Sequence, residues 1–556
     1  MRDDTNPYHF GSLTSLMRDN YASMLDRVKG LKLLILDDAT ASSISLVQTH
    51  SYLLEGGVLL TTNINDDNLY KGESRNLGNL RHLKAVYIIR PSHTNIARLC
   101  DQLRAGYFKE YHLYFTSLPL EGQLEMVAKN DILELVCGVY AYHTDLKAIC
   151  RHCFLLDSGT SDVYTSVHSS EASRVSQGLF NIFRIIKQIP SVVHVNGSSE
   201  SKDLGLKVQS LLNNDLLNSE AILKAYSKFN TIDRLGCCLL IYDRKFDCIT
   251  PLMNQWTYQA MIHELLPMTR NSLKIGNEEF VLNPDFDDFY GQHLFNEFTD
   301  VESALTELIR DGKKQFSDAV NILQNLPQQT KMCNETKRHV TILHELSKLI
   351  QQRQLLQTGL LEQDMGMRSK NSSEAFEAVV EMLNTNTIDS FEKLRLALIF
   401  CLMYRKHEDK VNMVKDNMRM NGLESMVPKV DALLAYAAAD PSSDGSDILS
   451  KAKITLNKSL MPDSSSPYLQ YNSRLAHVVE TLVRGRLDNR QFSLIPSSYD
   501  LDFTFKTRPA SAVVYVIGGV TMSEYRELQE LSKAEGVPIL LGGSSLLTSH
   551  NFTNNF

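Results

Sequence analysis

Residues Ala512 to Ile517 (AVVYVI), a helical pattern over Ser523 to Ala534 and an apolar run from Pro538 to Leu541 make one complete strand–helix–strand unit at the C-terminal end of the chain. A parallel strand pair of this kind has two apolar faces and cannot cover both by itself. Its partner strands must come from elsewhere. Upstream of Ala512, back to Leu266, the pattern is almost wholly helical. The economical solution is a discontinuous unit: an α/β sheet that starts near residue 136, is interrupted by a large helical insertion, and is completed by the C-terminus.

The interruption begins in the stretch Cys237 to Leu266, CCLLIYDRKFDCITPLMNQWTYQAMIHELL. The run Cys238 to Tyr242 is a short buried strand that ends at Asp243-Arg244. Thr250-Pro251 suits a turn or a first helical turn. Tyr258, Met261, Ile262 and Leu265 then fall at i, i+3, i+4 and i+7, the apolar face of a helix. The only tryptophan, Trp256, stands at this change of period. A ring of that size is expected to lock one unit against the next.

Upstream, Leu13, Leu16, Met17, Met24, Leu25 and Val28 recur at helical spacing within residues 1–30. Short apolar strands follow at Lys32 to Leu36, Val58 to Thr62, Ala85 to Ile89 and His112 to Phe115, with helices over Thr94–Ala105 and Leu120–Lys129. Strands alternating with helices imply a doubly wound, mainly parallel sheet. A second set (Cys153 to Leu156, Val192 to Val195, Cys238 to Tyr242) has too few strands to stand alone. In the insertion, Phe298, Val301, Leu305 and Leu308 form one seam, and Ile342, Leu346, Leu349 and Leu356 another, across a break at Leu326-Pro327. That pattern is a helical hairpin. Pro327 is placed to bend or straighten the start of its second helix. Lys331, Lys337, Arg338 and His339 occupy the opposite face, a solvated surface or a dock for an acidic or amphipathic helix. The stretches from Pro441 to Ser446 and Pro462 to Pro467 read as exposed linkers.

The chain therefore divides into a first α/β unit (1–135), a discontinuous second α/β unit (136–250 and 480–556), a helical hairpin unit (251–360) and further helices (361–479). At 556 residues, three or four units are what such a length requires.

Composition narrows the function. A net charge of -8 argues against nucleic acid as a main partner. No apolar run approaches a bilayer span, and neither end carries a signal or lipidation pattern, so a cytoplasmic chain is expected. Nine scattered cysteines, several inside apolar runs (Cys137, Cys237, Cys238, Cys401), read as reduced thiols. Cys150 and Cys153 form a CxxC with no second ligand pair, so no metal site is expected. Gly518-Gly519 follows a strand and precedes a helix, but lacks the further residues of a phosphate-binding loop. It leaves one alternative standing, a nucleotide-binding α/β enzyme. Asp243 and Asp247, beside Arg244 and Lys245, look like capping or ion-pairing groups. No catalytic constellation emerges and no cofactor is expected, which shifts the weight toward a binding protein.

The segment DRKFDCITPLMNQWTYQAMIHELL closely resembles the signature of the SM family, the cytosolic syntaxin-binding partners of SNARE proteins in membrane fusion. LKAVYIIRPS (83–92), YHLYFTS (111–117), DDFYGQHLFNEF (287–298), KRHVTILHELSKLI (337–350) and YVIGGVTMSEY (515–525) resemble the same family. The details look closest to its endosomal and trans-Golgi branch. The resemblance implies a three-domain arch, α/β plus all-α, with a discontinuous second domain and no enzymatic activity. It implies a monomer that binds a syntaxin-type SNARE and the assembled SNARE bundle, reaching Golgi and endosomal membranes only through them. It carries Asp243, Arg244, Asp247, Thr250, Pro251 and Trp256 as structural signature residues. The family's pocket for the N-terminal syntaxin peptide falls on Leu120, Leu124, Val127, Ala128, Ile132 and Leu135, at least a third of which should line the core instead. The SNARE-helix face falls on Pro327, Lys331, Lys337, Arg338 and His339.

Overall fold

The computed structural model describes residues 11–66, 82–156, 169–218, 235–269, 271–315, 326–437, 466–497 and 503–556. The expected linkers at 441–446 and, up to residue 465, at 462–467 lie outside these residues.

The chain opens with a helix over Leu13–Arg27, started by Ser12, whose side chain accepts from the Ser15 amide. Five strands follow: β1 (Lys32–Leu36), β2 (Val58–Asn63), β3 (Lys84–Ile89), β4 (Glu110–Phe115) and β5 (Val136–Ala141). They form a parallel sheet in the order β2-β1-β3-β4-β5. β1 and β3 are buried almost throughout, as the continuous apolar runs of internal parallel strands require. β5 pairs with β4, so the first sheet reaches beyond the expected boundary at residue 135.

The second sheet contains β6 (Lys147–Cys150), β7 (Cys153–Leu155), β8 (Pro190–Val195) and β9 (Leu235–Asp243). A small antiparallel sheet follows in the insertion: β10 (Met268–Thr269), β11 (Ser272–Ile275) and β12 (Glu278–Val281). The strand pattern of the sequence reading did not include it. Its signal was the two-residue turn Gly276-Asn277, where Gly276 takes φ 59°. After the helices come β13 (Phe492–Leu494), β14 (Pro509–Ile517) and β15 (Ile539–Gly543). The large sheet runs β13-β8-β9-β14-β15-β7-β6. β14 and β15 thus fill the gap between β9 and β7, in parallel with both. One apolar cluster contains Met17, Leu25, Leu34 and Val86 together with Leu179, Val513 and Leu540, so the two sheets share a core.

Between β12 and β13 the described chain is helical. The hairpin helices are Phe298–Gln315 and Leu326–Gln352, and Val301, Leu305, Ile342 and Leu346 pack in one cluster. Leu356 does not belong to that face. The helix stops at Gln352, Gln354 turns left-handed (φ 56°), and a new helix, Leu355–Gly366, buries Leu355 and leaves Leu356 half exposed.

Candidate functional site

The signature segment forms the joint between the large sheet and the helices. At the end of β9, Asp243 accepts from the Lys245 amide (3.0 Å) and from the Ser198 hydroxyl (2.6 Å). Arg244 is fully buried and meets Glu524 through two parallel bonds of 2.9 and 2.8 Å. It also donates to the carbonyls of Gly519 and Asp247. Asp247 accepts from the Thr250 amide and hydroxyl (3.1 and 2.6 Å), closing the turn that Pro251 begins. Asn254 then bonds Glu362 twice (2.8 and 3.0 Å), and Arg395 ties together Leu252, Asn254, Glu362 and Glu392. Burial pushes the Glu362 carboxyl up to about 7, with Arg395 pulling it down and Glu392 adding to the rise. The Trp256 and Tyr468 rings meet tilted by 36° with centroids 4.4 Å apart, and Trp256 lies against Gly359, where a Cβ would come within 2.6 Å of it.

The Gly518-Gly519 turn is closely packed against the segment around Ser545. Gly519 has φ 96°, and a Cβ there would come within 2.6 Å of Ser545 Oγ. Its carbonyl accepts from Arg244. The following helix, Met522–Glu535, is capped by Thr521 and by the Glu524 carboxylate, which accepts from the Thr521 amide at 2.9 Å. This is a capping box: Glu524 accepts from the Thr521 amide and the Thr521 hydroxyl accepts from the Glu524 amide.

Cys150 and Cys153 face each other across the β6–β7 hairpin as free, buried thiols. Burial pushes Cys150 up to about 12, which makes it unreactive. Cys137, expected to sit as a buried hydrophobe, is exposed instead, because it falls on β5 at the edge of the first sheet.

On the first sheet, the helix Glu121–Asn130 turns Gln123 and Val127 inward. Leu120, Leu124 and Ala128 follow one another at i, i+4 and i+8 on a neighbouring exposed stripe, and Ile132 continues it at 72% exposure. Leu118 and Leu133 flank them, also exposed. Of the six residues expected to line a peptide pocket, Val127 packs with Tyr111 and Leu113, and Leu135 is partly buried against the same cluster. Four remain at the surface.

The face expected on the Leu326–Gln352 helix is arranged differently. Pro327 lies in its first turn, while the side chains of Pro327 and Lys331 are outside the described residues. Lys337 pairs with Glu278 on β12 (2.7 Å). Arg338 bonds Asp287 (2.6 Å) and the Val281 carbonyl. His339 is wholly buried, with Nε2 3.1 Å from both Asp287 oxygens and Nδ1 2.8 Å from the Tyr258 hydroxyl. Asp287 accepts from Nε2–H, and Nδ1 meets the Tyr258 hydroxyl. Burial alone would raise the Asp287 carboxyl, but the His339 bond, the Tyr290 amide and the Arg338 charge hold it below the usual range. His339 therefore belongs to no docking surface, and Arg338 is held to the neighbouring elements. The open stripe of this helix runs through Cys333, Lys337, Val340 and His344.

Among the described residues, no helix is long and apolar enough to cross a membrane. Comparison with known proteins places residues 32–555 in the Sec1 family. The chain is 29% identical to a vacuolar protein sorting-associated protein 45 homolog of Arabidopsis thaliana, covering 97% of this chain and 96% of that one. It is 28% identical to vacuolar protein sorting-associated protein 45 of Homo sapiens, covering 95% and 92%. Its fold matches the SM protein Vps45 solved in complex with the Qa SNARE Tlg2 (TM-score 0.84, 24% identity, 98% and 97% covered). It also matches Sly1p in complex with an N-terminal peptide of Sed5p (TM-score 0.78, 18% identity, 98% of each chain). With a parallel sheet and a mainly parallel one whose edge strands β13 and β6 run antiparallel, joined through a buried signature segment and interrupted by a helical insertion, the chain belongs to the Sec1 family.

Proposed function

We propose that this chain binds a syntaxin-type SNARE and regulates SNARE-mediated vesicle docking and fusion in endosomal and trans-Golgi traffic, including transport to the vacuole or lysosome. Membership of the Sec1 family and likeness over nearly the whole length to vacuolar protein sorting-associated proteins support this class. So do the Qa SNARE and SNARE-peptide complexes of its structural relatives. The protein works by shape, without covalent chemistry, in the cytoplasm and at Golgi and endosomal membranes through its SNARE partners.

The observation that carries the reading is the exposed stripe of Leu120, Leu124, Ala128 and Ile132. A helix normally spends its apolar residues on the core, and this one carries a second set facing water. A short peptide with one or two apolar anchors would bury them there. The second surface is the solvent stripe of the Leu326–Gln352 helix, along which a SNARE helix would be aligned. SNARE segments are largely disordered when free, so a rigid helix that pre-aligns them lowers the entropy barrier to assembly.

Leu124→Arg tests the first surface against a synthetic N-terminal peptide of a Qa SNARE. Calorimetry is expected to show at least about a tenfold loss of affinity, about 1.4 kcal/mol, with the thermal midpoint unchanged. Undiminished binding would remove the stripe as the peptide site.

A further inference from the structure

β4 and β5 do not pair in simple register. Tyr111 faces Val136, but the next residue, His112, faces Gly138, so Cys137 is the extra residue of a bulge. A bulge re-aims the side chain it inserts. Here it brings the Cys137 thiol toward Glu110 and His112, which share one face of β4 at i and i+2. The carboxylate oxygen, imidazole nitrogen and thiol sulfur all lie within 4.8 Å of one another.

His112 and Glu110 already share a long hydrogen bond, and the spacing also fits two ligands of one ion. His112 Nε2 and Glu110 Oε2 are 3.4 Å apart. Two donors held 2.0–2.2 Å from a tetrahedral ion are separated by about 3.3–3.5 Å, and a thiolate with its longer bond by slightly more. His112 and Glu110 are mostly shielded, at 15% and 23% side-chain exposure, while Cys137 opens to solvent at the sheet edge. His112 alternates with Tyr111 and Leu113, which pack with Val127, so the trio lies on the face away from the Glu121–Asn130 helix. It is separate from the proposed peptide stripe.

We propose that Glu110, His112 and Cys137 form a three-ligand site for a zinc-class divalent cation. A thiolate, an imidazole and a carboxylate together select zinc-like ions over magnesium or calcium, and three protein ligands leave a fourth position open to solvent. The Cys137 thiol gives its proton to solvent as its sulfur coordinates. Lys84 Nζ, 2.9 Å from Glu110 Oε2, and Lys109 Nζ, 3.8 Å from Oε1, must withdraw. Lys109 is exposed and Lys84 part-buried at 30% side-chain exposure, so binding must break the Lys84–Glu110 pair, whereas Lys32 stays tied to the carbonyls of Leu25 and Gly56. Once bound, the ion fastens the edge strand β5 to β4.

Cobalt(II), added alone to the reduced, metal-stripped full chain, is the probe. The expected result is a thiolate-to-cobalt charge-transfer band that saturates at one equivalent and is displaced by zinc. Cys137→Ser should abolish the band, and His112→Gln should weaken cobalt binding by at least about tenfold. Cys333→Ser, at the other exposed cysteine, should change neither. Because Cys137 is exposed, its replacement leaves the fold intact, which an unchanged thermal midpoint verifies. Absence of the band at one equivalent, its survival in Cys137→Ser, or its loss in Cys333→Ser would each overturn the proposal.

Discussion

Arg244 has no exposed surface, yet it carries a full charge, and its two-bond pairing with Glu524 joins the end of β9 to a helix 280 positions away. Breaking such a pair leaves the other charge buried and unpaired. Arg244→Met is expected to cost about 3–5 kcal/mol in urea unfolding, while adding Glu524→Gln should recover more than half of that. A single variant as stable as the parent would show that the pair contributes nothing at this joint. The sequence marked Asp243 and Asp247 as capping or ion-pairing groups, because Arg244 and Lys245 stand beside them. It could not name Glu524, since nothing in the neighbourhood of either residue encodes so distant a meeting. The Glu110–His112–Cys137 trio was invisible for a related reason. Its ligands follow no motif spacing, and only the bulge in β5 aims Cys137 at the other two.

At the scale of elements, Trp256, placed at the strand-to-helix change, packs in the core of the helical insertion. The indole lies between Tyr468 and the helix Leu355–Gly366, and a Cβ on Gly359 would approach Cζ2 to 2.6 Å. Gly359→Ala is expected to destabilise the protein by about 1–3 kcal/mol through overpacking. Because Trp256 is the sole tryptophan, its emission maximum reports on this joint directly. An unchanged spectrum and unfolding midpoint would mean that the interface yields freely. Other element-scale expectations moved. The basic side of the Leu326–Gln352 helix was open on paper, but the small β10–β12 sheet and Asp287 cover part of it, leaving His339 buried. Periodicity shows which residues share a face. It does not show what another element will place against that face.

For the whole molecule, the consequential fact is that β15 lies between β14 and β7. Ending the chain after Glu535 would strip both strands of a parallel partner and expose the apolar faces that both sheets share through one core. The truncated chain is expected to lose its cooperative thermal transition and to bind a dye for exposed apolar surface. A sharp transition near that of the full chain would show that the large sheet closes without its last strand. Two mainly parallel sheets, the completion of the second by the C-terminus and a helical insertion between its parts are all legible in the chain's local patterns. Runs of buried strand residues and 3.6-residue stripes are local patterns, and an isolated strand–helix–strand unit cannot cover its own faces. That Val127 faces the core while Leu124 faces water, that Arg244 meets Glu524, and that a bulge carries Cys137 to His112 emerges only from the folded chain. Those outcomes depend on which surfaces distant segments cover and on the register in which strands pair, and neither is a property of any short stretch of chain.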